Sequence, residues 1–179
     1  RSGQIAIRIL AMLTRPVFMG IPSLLPILSS LMVNLSLEFG NTPASTVGYA
    51  MYGIVLCAFF GEVKMGYDFG KLAINLKEKL NLPELKSIIP LVFGTFIQHR
   101  QEALKNTLLT LKTGYLIGME TGSFLDAGYC LTNYSYTKFF SGFELSNLEQ
   151  EIGIYCSVMA QLKQFSPLTY LYITRQSIL

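Results

Sequence analysis

The sequence predicts an all-α fold built from antiparallel helical hairpins that pack as successive pairs. Three observations predict it. Apolar residues recur at steps of three and four through most of the chain. Clusters of Gly, Pro, Ser, Thr and Asn cut it into pieces of helical length. No stretch shows the apolar–polar alternation of a strand. Residues 43–80 display the unit most completely: an uncharged, small- and aromatic-rich helix (Gly48, Tyr49, Ala50, Tyr52, Gly53), a Gly61-Glu62 break, then a second helix. In that second helix Met65, Phe69, Leu72, Ala73, Leu76 and Leu80 form the expected buried stripe.

In chain order, residues 1–13 read as a helix with Ile5, Ile9, Met12 and Leu13 as its apolar stripe, stopped or kinked at Pro16. Arg1, Arg8 and Arg15 recur every seven residues and share a face. They make a candidate contact for an acidic partner, against the plainer reading of a solvated helix face. Residues 20–39 form the next helix, with Pro22 suited to its first turn and Pro26 pointing to a later start or a kink. Gly40-Asn41-Thr42-Pro43 is a break, and the hairpin at 44–80 follows. Asn81-Leu82-Pro83 separates it from a helix over 84–98 interrupted by Pro90. Residues 102–120 carry Leu104, Leu108, Leu111, Tyr115 and Met119 on one face, and Thr121-Gly122-Ser123 turns the chain into an aromatic-rich helix over 124–140. The cleanest pattern lies in 145–163, where Leu145, Leu148, Ile152, Tyr155, Met159 and Leu162 make a lengthwise seam. Ser166-Pro167 opens a last helical segment.

At 179 residues the chain fits one helical domain, 1–179, with its hairpin core over 43–164. It is 51% hydrophobic and 14% charged, with mean hydropathy +0.42, against roughly 25% charged for soluble domains. The uncharged runs 16–37 and 39–61 approach bilayer length. Prolines, serines and asparagines within them, and the lack of Trp anchors, favour a soluble chain without membrane contact. A net charge of +3 is too mild for nucleic acid. Cys57, Cys130 and Cys156 lie far apart among apolar neighbours, which suits a reduced, cytoplasmic setting. With Arg1 leading and no signal-peptide layout, the sequence reads as a fragment of something longer.

Two internal echoes suggest a repeat. Gly48-Tyr49 and Phe59-Phe60 recur at Gly128-Tyr129 and Phe139-Phe140, an offset of 80, or two units of about 40 residues. Gly61-Glu62-Val63-x-x-Gly66-Tyr67 also echoes Gly122-Ser123-Phe124-x-x-Ala127-Gly128-Tyr129. Small residues let helices approach while aromatics fill the gap a turn away. This resembles the tetratricopeptide repeat, although its Trp and its period of 34 are missing.

No active site is legible. His99 stands alone, with Glu102 as its one acidic neighbour. Neither a phosphate-cradling loop nor a metal-ligand spacing occurs, and no cofactor is implied. Glu149 and Glu151, two apart, read as a solvated face rather than an acid–base pair. Asn34-Leu35-Ser36 and Asn133-Tyr134-Ser135 match the glycosylation sequon but lie within helices. Tyr134, Tyr136, Tyr170 and Tyr172 are candidates for a groove holding a peptide or an unknown small ligand, with core packing as the competing use.

The segments MGIPSLLPILSSLMVNLSLEFGNTPASTVGYAMYGIVLC (19–57), LKTGYLIGMETGSFLDAGYCLTNYSYTKFFSGFELSNLEQEIGIYCSVMAQLKQ (111–164) and YLYITRQSIL (170–179) resemble the central helical region of large bacterial, chiefly cyanobacterial, multi-sensor signal transduction kinases. In that family a serine/threonine kinase domain and a P-loop ATPase precede the helical region, and a GAF sensor and a histidine kinase follow. The resemblance implies a non-catalytic scaffold coupling the ATPase switch to the sensor and kinase half, within an ATP-dependent parent. Its partners are then neighbouring domains or a signalling protein. None of the family's ATP, metal or phospho-acceptor residues has a counterpart here. A membrane-associated helical domain and a small-ligand sensor remain the alternatives.

Overall fold

The computed structural model describes residues 2–80 and 87–179, and within them every regular element is helical. The fold is all-α. Arg1, the Asn81-Leu82-Pro83 joint and the expected helix start at Glu84 lie outside the described residues. The chain divides into two compact units, Arg1–Leu85 with Phe96–Gln101, and Lys86–Thr95 with Glu102–Leu179.

The first unit holds α1 (Ser2–Gly20), α2 (Leu25–Phe39), α3 (Ser45–Ala58) and α4 (Val63–Leu80). Pro16 does not end α1, which runs through it to Gly20. The expected stripe is also on the wrong side: α1 buries Gly3, Ile7 and Thr14 and leaves Ile5, Ile9, Met12 and Leu13 exposed. The reason is steric. Gly3 lies flat against the Phe39 ring, and Gln4 Nε2 donates to Phe39 O at 3.3 Å, so α1 returns antiparallel to α2 on its small-residue side. A 3-10 turn, Pro22–Leu24, precedes α2 and puts Pro26 in its first turn, where no backbone donor is needed. The break before α3 is fastened by hydroxyls. Ser36 Oγ donates to Ser45 Oγ at 2.7 Å, and Thr42 N donates to the same oxygen at 2.9 Å.

Twelve of the fourteen residues of α3 are buried, as its uncharged composition predicts. Against it α4 turns Gly66, Gly70, Ala73 and Lys77 inward, while Met65 and Leu72 of the predicted stripe are exposed. The large side chains flank the contact because the two backbones touch: a Cβ on Gly66 would fall on Cys57 Sγ and 2.7 Å from Gly53 O. Phe69 remains as predicted, edge-on to Tyr52 at 4.9 Å.

The second unit opens with the short α5 (Ile88–Val92). Pro90 removes a backbone donor there, and the chain widens into a π-turn, Phe93–Ile97, in place of the continuous helix expected to residue 98; the turn's last two residues already belong to the first unit. A 3-10 turn, Leu104–Asn106, leads into α6 (Thr107–Thr121), followed by α7 (Phe124–Phe140), α8 (Leu145–Gln161) and α9 (Phe165–Ile178). The fully buried positions of α6 are Thr107, Leu111, Gly114 and Gly118. Leu108, Tyr115 and Met119 of the predicted stripe are only half-buried. The seam of α8 is as predicted at Leu148, Ile152, Tyr155 and Met159. Those residues close a core with Leu131, Cys156, Leu168 and Leu171. Helix α7 lies at the centre of the unit, packed by α5, α6, α8 and α9.

A candidate interaction site of lysines on tyrosine faces

The most highly organised polar cluster joins α6, α7 and α8, and local spacing builds it. Lys112 and Tyr115 are three apart on α6, Tyr134 and Lys138 four apart on α7, Glu151 and Tyr155 four apart on α8, so each pair shares a helix face. The Lys112 ammonium stands over three rings, 5.4 Å from the centroids of Tyr115 and Tyr134 and 5.3 Å from that of Tyr155. It also donates to Tyr155 Oη at 3.2 Å. That hydroxyl donates to Glu151 Oε1 at 2.5 Å, and Lys138 Nζ donates to Glu151 Oε2 at 2.6 Å. Lys138 lies over Tyr134 and Phe143 in turn, and Lys105 over Phe143 as well. Three lysines are thus strung along aromatic faces with one carboxylate among them.

The protonation states follow from this geometry. Burial works to raise the Glu151 pKa, but the bonds from Lys138 and Tyr155 and the Lys138 and Lys112 charges outweigh it and hold the carboxyl below its ordinary value. Burial works to lower the Lys138 pKa, and Glu151 reverses that and raises it. Burial and then Glu151 push the Tyr155 phenol up. At neutral pH Lys138 is therefore an ammonium, Glu151 a carboxylate and Tyr155 a neutral phenol. Both carboxylate oxygens of Glu151 accept a donor, one from Lys138 and one from Tyr155. Ammonium on ring faces contributes about 0.5–2 kcal/mol per contact. The arrangement is suited to holding helices in register and to recognition.

The tyrosines singled out in the sequence do not gather into one groove. Tyr134 belongs to this cluster. Tyr170 is exposed and pairs with Tyr129, ring centroids 6.4 Å apart. Tyr136, two residues from Tyr134 on the same helix, points away from it, and Tyr172 is exposed. Arg8 and Arg15 are exposed on α1. Neither Glu149 nor Glu151 is a plain solvated residue: Glu149 accepts from Arg175 of α9 at 2.6 Å, and Glu151 from α7. His99 is exposed in the 3-10 turn Gln98–Arg100. Among the described residues no group of three or more His, Cys, Asp or Glu is placed to hold a metal ion. The cysteines are free and buried, and burial raises the Cys130 thiol far above its ordinary pKa.

The chain is similar to a segment of hybrid signal transduction histidine kinase G of Dictyostelium discoideum, 25% identical over 175 residues. The alignment takes in 97% of this chain and 5% of that kinase, so the chain spans about one-twentieth of the relative's length. No family model and no solved structure matches it.

Proposed function

We propose that the chain is a non-catalytic regulatory segment of a multi-domain signal transduction kinase, acting as a protein-interaction scaffold. The observation that carries this reading is similarity along nearly the whole chain to a segment of a hybrid histidine kinase. The hairpins act as a tetratricopeptide-like array in the cytoplasm, and the neighbouring domains of the parent are its protein partners. In the cyanobacterial-type arrangement, a P-loop ATPase on one side and a GAF sensor and histidine kinase on the other supply the chemistry. The segment contributes no catalytic group, cofactor site or nucleic-acid contact.

The supporting physics is a device with few discrete packings. Lys112, Lys138 and Glu151 share partners across three helices, which couples α6, α7 and α8 through one polar network. A partner that prefers one packing shifts the population toward it and passes that bias along the chain. The test is made in the parent kinase. Deleting residues 43–164 uncouples ATPase and autophosphorylation rates from the stimulus while leaving the catalytic domains competent, and unchanged stimulated and unstimulated rates would sink the reading.

A further inference from the structure

Helix α1 turns its bulkier side outward. Gly3, Ile7 and Thr14 face the interior of the first unit, while Ile5, Ile9, Met12, Leu13 and Met19 face solvent, with Met12 79% and Met19 69% exposed. At 100° per residue the outward five cluster opposite the buried three, and no polar side chain interrupts them between Ile5 and Met19. On α2, Ile27 and Leu31 are exposed as well. The outward side of α1 is thus a continuous apolar face that no element of the first unit covers.

Charge identifies the kind of lipid. Arg1, Arg8 and Arg15 precede the first carboxylate, Glu38, and the rest of the chain balances, eleven basic against eleven acidic residues. The whole net charge of +3 therefore belongs to the first 37 residues. Arg8 and Arg15 are exposed two turns apart, on one flank of the apolar face. That is the layout of a helix lying in the headgroup boundary, apolar side down and guanidinium groups at phosphate depth. The stretch Pro22–Phe39 is by length and composition apolar enough to cross a membrane, and a third of it is buried. In the fold it packs between α1 and α3.

We propose that the outward face of α1 docks on an anionic membrane surface, with Ile5, Ile9, Met12, Leu13 and Met19 in the acyl boundary and Arg8 and Arg15 on lipid phosphate. This goes beyond the regulatory role and does not depend on it. The choice of lipid over a protein partner rests on charge: the guanidinium groups flank the apolar face with no carboxylate before Glu38, which matches an anionic headgroup layer.

The full chain, mixed with vesicles of phosphatidylcholine alone or of phosphatidylcholine with phosphatidylserine, is sedimented and assayed. It partitions onto the anionic vesicles, and less so as salt rises. Arg8→Gln weakens that binding about five-fold, and Ile9→Asp with Met12→Asp weakens it about ten-fold or more. Circular dichroism confirms that the variants keep their helix content. If the double variant does not fold, Arg8→Gln and the salt dependence decide the matter. Partitioning that ignores lipid charge, no partitioning at all, or a soluble dimer that Met12→Asp dissociates overturns the proposal.

Discussion

The hairpins α3–α4 and α6–α7 solve the same packing problem in the same register and then diverge. Gly53, Cys57, Gly61 and Gly66 in the first correspond to Gly114, Gly118, Gly122 and Ala127 in the second, each sixty-one residues further on. Gly61 and Gly122 both turn the chain at positive φ, +72° and +77°. Gly66 meets Cys57 as Ala127 meets Gly118, with the smaller residue on the opposite helix. The outer faces differ. Helix α3 is buried nearly all round, whereas α6 buries only four residues and leaves Lys112 and Tyr115 to meet α7 and α8. One hairpin is closed by glycines that bring its two backbones together; the other adds charge on aromatic faces. The first is sensitive to volume, the second also to pH and salt.

The largest effect that sharpens this contrast is at Gly66. Alanine there gains helix propensity of about 1 kcal/mol but meets Cys57 Sγ and, at 2.7 Å, the backbone oxygen of Gly53, which cannot yield. Overpacking of this kind costs about 1–3 kcal/mol and sometimes more. Gly66→Ala is therefore destabilising by about 1–2 kcal/mol net. Gly118→Ala meets Ser87 Oγ at 2.7 Å and Ala127 Cβ at 2.9 Å. Rotating that hydroxyl gives up its buried bond to Gly114 O, and the Ala127 methyl is fixed, so Gly118→Ala also destabilises, but with no backbone oxygen under 3 Å by less than Gly66→Ala. Urea unfolding of both variants checks this, and equal losses would erase the distinction between the hairpins.

The second test separates them by pH. Glu151 has its pKa lowered in the folded state, so its stabilising contribution is present above the ordinary carboxyl value of about 4.3 and is lost as pH falls through the folded value. Lys138, raised, loses its part only as pH climbs through its folded value in the alkaline range. Glu151→Gln thus costs about 1 kcal/mol at neutral pH and flattens the acid limb of the stability curve. A variant with an unchanged acid limb would show that the cluster is not coupled to folding.

What the sequence made legible, and what it did not, has one physical cause. Helix existence followed from periodicity and breakers, and α7 and the buried seam of α8 appeared where the spacing put them. The buried face of α1 differs from its apolar stripe, and those of α4 and α6 keep only Ala73 and Leu111 of theirs fully buried, because bulk does not mark the inward side there. At a close helix–helix contact the inward residues are the small ones, and Gly66, Gly70, Ala73 and Gly114, Gly118 held that signal at steps of three and four. The offset of 80 pairs α3 with α7, both carrying a glycine pressed by a neighbour, Gly48 by Met32 and Gly128 by Pro167. The offset of 61 is the one that overlays whole hairpins. The lysine–tyrosine cluster was missed because its three local pairs lie on three helices. Each spacing was visible, but the convergence of the three depends on how α6, α7 and α8 pack.

A smaller effect of opposite sign comes from Gly153 on α8. A Cβ there meets only the Arg175 guanidinium, at 3.6 Å, an ordinary contact. Nothing opposes the propensity gain, so Gly153→Ala stabilises by about 0.5–1 kcal/mol. Thermal unfolding that moved downward would mean α8 is pressed by something on that side in solution.

The smallest effect is at the α8–α9 pair. Arg175 Nε and its terminal nitrogen both donate to Glu149 Oε1, at 2.7 and 2.6 Å, so the geometry matches that of the Lys138–Glu151 pair. The surroundings do not. The two carboxylates are similarly exposed, but the Arg175 side chain is 40% open to screening water, whereas that of Lys138 is 18% open and lies on two rings. Equal distances therefore give unequal contributions, because desolvation and screening, not length, set what an ion pair adds. Arg175→Ala leaves the thermal midpoint unchanged within error and insensitive to salt, against a clear loss for Glu151→Gln measured side by side. If the two fell together, the second unit would be held by its charges in general rather than by the one carboxylate set among tyrosines.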